Sequence, residues 1–240
     1  MKPLAIDLFC GLGGWTEGLL AEGYFVVGFD IEQHVYGDER YPAQLVLQDV
    51  LTLHGRQFKD AALIVASPPC QAYSYRAMPW KKAKALPPPS NALFDACFRI
   101  QREAIKAAGR FIPLVVENVR GAIPWVGRSR WNFGSFHLWG DVPALMRMVT
   151  KHTGIKAPGM NWSDRTKRGQ DFTRLAGQHA VNQDTGTKIG GDWFSDPNST
   201  CRKHSSKSKA RKRASAMIAK IPLSLSRHIA ATWKPVAVAA

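Results

Sequence analysis

The chain has 240 residues, 45% hydrophobic and 10% aromatic, which suits one large domain or a domain with a small companion and excludes intrinsic disorder. Lysine and arginine number 33 against 18 acids, a net charge of +15 that fits either a polyanionic partner or a solvated basic face. No apolar run approaches the roughly 18 residues that cross a bilayer, and Cys10, Cys70, Cys97 and Cys201 are scattered without zinc spacing, so neither a membrane span nor a metal is expected.

Leu4 to Phe9 reads as a short buried strand, so close to the N-terminus that no secretory leader is expected. Gly11-Leu-Gly-Gly14 follows, and Trp15 to Glu22 has helical composition. Strand, glycine turn and helix open a nucleotide-type α/β fold, though Gly-x-Gly-Gly is also compatible with a plain tight turn. Phe25 to Phe29 is a second strand ending at Asp30. An acid there suits either a ribose hydroxyl or the cap of a helix from Glu32 onward. Gln44 to Val50 is a third strand, with Asp49 near its end.

Leu63 to Ala66 is a fourth strand, and it delivers Ser67-Pro-Pro-Cys-Gln71. Two consecutive prolines fix their own φ and stiffen the loop, so Cys70 sits just past a strand end, where ligands collect in an open α/β sheet. A free cysteine taken alone is more often a small buried hydrophobe. Three lysines and Pro87-Pro-Pro89 make a basic loop, and Ala92 to Ala108 then shows helical spacing through Leu93, Phe94, Cys97, Ile100 and Ala104. Cys97 lies on that apolar stripe and reads as core. Phe111 to Val116 is a fifth strand, ending in Glu117-Asn118. Strands alternating with helices predict a doubly wound, mostly parallel sheet.

Beyond Trp131, Asn132 to Trp139 reads as an edge strand pair. The following residues lose all period, and between Lys151 and Arg213 fourteen basic residues face only five acids. Helical spacing resumes through Met217, Ile218, Ile221, Leu225 and Ile229, interrupted at Pro222. The predicted organisation is a catalytic, cofactor-binding body over 1–149, a small irregular basic region over 150–213, and a C-terminal helix over 214–240 that returns to the body.

Three motifs in fixed order, Asp7-Leu-Phe-Cys-Gly-Leu-Gly-Gly14, Pro68-Pro-Cys-Gln71 with Ser74, and Glu117-Asn-Val119, resemble those of the cytosine-C5 DNA methyltransferases, most nearly the compact phage and prophage members. The resemblance implies a class I, Rossmann-like methyltransferase fold with S-adenosylmethionine as cofactor and S-adenosylhomocysteine as product. It implies Cys70 as the nucleophile that adds to C6 of a flipped cytosine, with Glu117 against N3 and the exocyclic amine. The cofactor would lie against Asp7, Phe9, Gly11, Gly13, Gly14 and Pro68, with Asp30 at the ribose and Asp49 at the adenine amine. Double-stranded DNA is the implied partner, contacted by Gln71 and Ser74 and by Arg165, Lys167, Arg168, Arg202 and Lys203 of the target-recognition region. A monomer in a bacterial cytoplasm, of the restriction-modification or prophage-borne kind, completes the expectation; no metal is implied.

The chain departs from the family pattern in three places. Family members often have glutamate where Asp30 stands. Their Gln-x-Arg-x-Arg is represented only by Arg128 and Arg130, expected as active-site cations. Their C-terminal motif places an asparagine beside the methionine end of the cofactor, where this chain has Lys220. An inward Lys220 would favour a carboxylated donor and carboxymethyl transfer; an outward one would be solvated. The same chemistry on transfer RNA, and a non-catalytic nucleic-acid-binding protein, are the competing readings.

Overall fold

Seven strands form one sheet in the order β5-β2-β1-β6-β7-β9-β8. They are β1 (Leu4–Leu8), β2 (Phe25–Asp30), β5 (Gln44–Leu47), β6 (Ala61–Ala66), β7 (Leu114–Asn118), β8 (Trp131–Phe133) and β9 (Phe136–Gly140). Strands β5, β2, β1, β6 and β7 are parallel, β9 runs antiparallel to β7, and β8 pairs antiparallel with β9. The computed structural model describes residues 1–73, 87–146 and 208–235.

The buried strands have near-continuous apolar sequences because both sheet faces are covered. Alternate residues divide between two cores. Ile6, Leu8, Ile64, Leu114 and Val116 face helix α2 (Ala92–Ala108), whose Phe94, Cys97, Ile100 and Ala104 form the stripe read from the sequence. Ala5, Leu63, Val65 and Val115 face the other side, with Trp15 and Leu19 of α1 (Gly14–Ala21) and Leu225 and Ile229 of α5 (Leu223–Trp233). The sheet is therefore doubly wound, as its alternating pattern indicated.

Three local features differ from the sequence reading. No helix follows Asp30. Instead β3 (Val35–Tyr36) and β4 (Glu39–Arg40) make a hairpin, and Gly37, at φ 66°, closes its turn with Asp38. The fifth strand, β7, starts at Leu114 rather than Phe111, and it ends in Glu117 and Asn118, both paired with β9. The C-terminal segment is two helices, α4 (Lys209–Ala219) and α5, broken where Pro222 takes an extended conformation ahead of α5.

The C-terminal segment docks closely on α1 at Gly14 and Gly18. A Cβ at Gly14 would strike the backbone nitrogen of Ile221, and one at Gly18 would strike Ser226 and Arg227. The Tyr24 hydroxyl donates to the Ala230 carbonyl at 3.0 Å. Ion pairs Lys220–Glu17 at 2.5 Å and Arg227–Glu22 at 2.8 Å flank the contact. The C-terminal segment is thus packed against the helix that opens at the glycine turn.

Candidate active site

The chain proceeds from β1 toward β2 and β5 on one side, and through β6, β7 and β9 on the other. The order therefore reverses between β1 and β6, and the crevice past their C-terminal ends is where open α/β sheets bind ligands. The glycine turn leaves β1 at that point and the Pro-Pro-Cys loop leaves β6 beside it. β7, carrying Glu117, is the next strand over.

The glycine turn is held in a contorted backbone. Phe9, Gly11 and Gly13 all have positive φ, at 57°, 51° and 80°. Only glycine adopts this region freely, so the left-handed Phe9 costs on the order of 1–2 kcal/mol, strain of the kind found at functional sites. Stitching bonds offset it: Gly13 N donates to Cys10 O at 2.8 Å, Cys10 N to Phe29 O at 3.2 Å, and Gly11 N to Asp30 Oδ2 at 2.9 Å. A Cβ at Gly11 would meet open space, whereas one at Gly13 would collide with Tyr41 and Pro42. The turn thus has one packed side and one open side. The first intrahelical bond of α1 is Glu17 N to Gly13 O, which leaves the N–H groups of Gly14 to Thr16 at the helix mouth.

Asp7 belongs to the packed side. It is 1% exposed, and its Oδ2 accepts from Thr16 Oγ1 at 2.7 Å. Thr16 Oγ1 in turn lies 2.6 Å from the Tyr41 hydroxyl. Burial pushes the Asp7 carboxyl up to about 8, aided by the nearby Asp30 charge and opposed by Thr16. Asp7 Oδ1 has no hydrogen-bond partner among the described residues. The enclosed carboxyl ties the end of β1 to α1 through Thr16. Tyr41 fills the volume over Gly28 that lies beneath the hairpin.

On the open side, Asp30 and Asp49 stand at the ends of β2 and β5. Asp30 accepts from three backbone N–H groups, those of Gly11, Ile31 and Glu32, with the His34 imidazole 3.8 Å away. Burial works to raise its carboxyl, but His34 and these bonds outweigh it and hold Asp30 below its ordinary value. Asp30 in return raises His34, with Glu32 adding and burial opposing. Asp49 caps a 3-10 turn over Val50–Thr52, its Oδ1 accepting from Leu51 N at 2.9 Å. Ile31 is 74% exposed and Leu51 47%, two large apolar side chains left in solvent close after these acids. Neither was singled out from the sequence, where each is one more aliphatic residue at a strand end.

The cysteine loop is clamped from three directions. Ser67 N donates to Leu8 O at 3.1 Å, and Trp15 Nε1 to Ser67 Oγ at 3.0 Å. Pro68 is buried, and its carbonyl accepts from Asn118 Nδ2 at 2.9 Å. Cys70 O accepts from Tyr73 N at 3.0 Å within the Gln71–Tyr73 turn, and the Tyr73 hydroxyl donates to Asn91 Oδ1 at 2.9 Å. Cys70 is half-buried, and Gln71 is exposed beside it. Glu117, 6% exposed, precedes the asparagine that grips Pro68. Thiol and carboxyl are therefore delivered by neighbouring parallel strands and joined by one side chain between them.

Arg128 and Arg130 are exposed, in the loop between α3 (Ile123–Val126) and β8. Lys220 reaches the helix mouth at Gly14, but its ammonium is held on Glu17 Oε1. Ser74, Arg165, Lys167, Arg168, Arg202 and Lys203 lie outside the described residues. Among the described residues, no group of three His, Cys, Asp or Glu side chains could hold a metal ion, and no helix is long and apolar enough to cross a membrane.

Known proteins share parts of this arrangement. The family model for C-5 cytosine-specific DNA methylase matches residues 4–123, which includes the glycine turn, Cys70 and Glu117. No curated protein sequence matches the chain. Among solved structures, S. pombe Dnmt2 methyltransferase aligns over 96% of this chain and 98% of its own, at 12% identity and a TM-score of 0.50, which speaks to the fold alone. A prophage-encoded E. coli protein described as a DNA modification methyltransferase aligns over 51% of this chain at 21% identity and a TM-score of 0.35. That alignment spans only 33% of the prophage protein's length. A DNMT2 mutant from Spodoptera frugiperda aligns over 52% of this chain and 38% of its own, at 18% identity and a TM-score of 0.35.

Proposed function

The chain belongs to the C-5 cytosine-specific DNA methylase family, and on that premise we propose that it transfers a methyl group to C5 of cytosine in double-stranded DNA. One observation carries the reading. A half-exposed thiol and a buried carboxyl share one clamp, the Asn118–Pro68 bond, beside an open-sided glycine turn.

C5 of cytosine is too weak a nucleophile to be alkylated unaided. The Cys70 sulfur forms a bond to C6, and the C5–C6 π electrons become available at C5. Glu117 supports the step by sharing a proton with N3 as charge builds on the ring. Once C5 carries its new substituent, a base takes the C5 proton, the C5–C6 double bond re-forms and the Cys70 sulfur leaves. The stiff Pro68-Pro69 loop keeps the sulfur in place beside a base that has been flipped from the duplex at a cost of a few kcal/mol.

S-adenosylmethionine, when bound, supplies an electrophilic methyl group. The donor set fits such a molecule: the space beside Gly11, the N–H groups at the α1 mouth, Asp49, and the exposed Ile31 and Leu51 as apolar walls for an adenine ring. Asp30 serves mainly to hold Gly11, since three backbone donors already occupy its oxygens. Residues 150–213 are assigned to target recognition, Gln71 and Ser74 to the flipped nucleotide's surroundings, and Arg128 and Arg130 to the substrate phosphates. Lys220 is assigned to holding α5 on α1. With its charge paired to Glu17, methyl transfer is favoured over carboxymethyl transfer.

Transfer of tritiated methyl groups from S-adenosylmethionine to mixed duplex DNA and to transfer RNA tests the proposal. Label recovered as 5-methyl-2′-deoxycytidine is the expected result. Label confined to transfer RNA, or absent from both, would overturn it.

A further inference from the structure

Helix α3 has the sequence Ile-Pro-Trp-Val, yet none of its four residues is buried. Trp125 leaves 42% of its surface in solvent. Ile123 and Val126 pack partly against the α2 core, whereas Pro124 and Trp125 are left exposed, on a backbone held by several bonds. Asn91 Nδ2 donates to Trp125 O at 2.9 Å, Gly127 N to Ile123 O at 3.1 Å, and Trp139 Nε1 to Gly127 O at 3.0 Å. Asn91 is also the residue that receives the Tyr73 hydroxyl, and Tyr73 N bonds back to Cys70 O. The backbone that carries the exposed indole is therefore pinned, through one asparagine, to the loop that carries the thiol. It follows Glu117 by a single 3-10 turn over Arg120–Ala122.

Charge marks what this surface meets. Residues 120–130 contain three arginines and no acid, and Arg120, Arg128 and Arg130 are all exposed. An exposed aromatic face on a cationic segment is complementary to a nucleobase flanked by phosphates, and such a face accepts any base because every base has a π surface.

We propose that Trp125 is a stacking platform for a nucleobase of the DNA substrate, with Arg120, Arg128 and Arg130 on the adjoining phosphates. The inference rests on the DNA-modifying function proposed above and names one surface by which the substrate is held. An indole whose backbone is tied through Asn91 and Tyr73 to the thiol loop would stack on a base near the flipped one and keep the opened strand from closing.

Binding of a fluorescein-labelled pool of short mixed-sequence duplexes to the full chain, followed by anisotropy, tests it. Trp125→Leu keeps apolar bulk but loses the π face, and should weaken binding roughly tenfold or more, the range expected for removing one base–aromatic stack. Trp125→Phe should retain most of the affinity. Affinity for S-adenosylhomocysteine and the melting temperature should be unchanged in both variants. Unaltered DNA binding by Trp125→Leu would overturn the inference. So would equal weakening by leucine and phenylalanine, or a joint loss of melting temperature and cofactor affinity, which would mark Trp125 as a packing residue. Failure of the wild-type chain to modify DNA would count against the proposed function instead.

Discussion

The three cysteines of the described residues differ in surroundings more than in sequence context. Cys10 lies under the glycine turn, where burial, reinforced by Asp7 and Asp30, pushes its thiol far up. Cys97 is wholly enclosed by the α2 core and is raised by burial as well. Cys70 alone of the three is not buried. Brief alkylation followed by peptide mapping should label Cys70 ahead of Cys10 and Cys97; label appearing first on either of those would remove the distinction. Asp7 gives a second test. Its folded value, near 8, lies above the ordinary 3.8, so the native state retains a proton that the unfolded chain releases. Its contribution to stability is full below the unfolded value and is lost as pH rises toward and through the folded one. The urea midpoint of the wild type should therefore fall between about pH 5.5 and about pH 9 by more than that of Asp7→Asn, which carries no such proton. Parallel pH dependence in the two proteins would place the titration elsewhere.

Among the elements, the site depends on bonds between segments remote in sequence. Asn118 reaches Pro68 across fifty positions, and Trp15 reaches Ser67 across fifty-two. Asn118→Ala leaves the buried Pro68 carbonyl without its donor, a loss of about 1–3 kcal/mol. Its rate of methyl transfer should fall more than its affinity for S-adenosylhomocysteine, because the clamp holds Cys70 and not the glycine turn. An equal fall in both would make the bond a general stabiliser. Such bonds also mark the limit of what the sequence could disclose. The strands, the α2 stripe and the three motifs are local patterns, and each was legible. The Asn118 clamp, the Asp7–Thr16–Tyr41 network and the close contact of Gly14 and Gly18 with the C-terminal segment join distant residues and leave no local signature. The hairpin after Asp30 did leave one. Val35 and Tyr36 favour a strand, and Gly37-Asp38 between Tyr36 and Glu39 is a two-residue turn. A helix there was one of two readings of Asp30, as its cap, and the local chemistry of the hairpin overrode it.

Over the molecule as a whole, the proposed function gives the thiol-bearing edge and the excess of basic charge one end, which is to hold a polyanion while a single base is modified. Lys209, Lys212 and Arg213 of α4 extend the basic composition of 150–213 to the hairpin, where Arg213 approaches Glu39 at 4.0 Å. DNA affinity should accordingly fall linearly on a logarithmic salt scale, by about 0.9 for each phosphate neutralised; an affinity indifferent to salt would deny the basic surface that role. Every step of the proposed reaction depends on Cys70 becoming bonded to the base. Incubating the chain and S-adenosylmethionine with a duplex pool containing 5-fluoro-2′-deoxycytidine tests this most directly, because fluorine at C5 leaves no proton to remove and the sulfur cannot depart. The expected result is a denaturant-stable protein–DNA adduct whose mapped attachment point is Cys70. Methyl transfer to ordinary DNA without any such adduct, or an adduct through another residue, would contradict the mechanism.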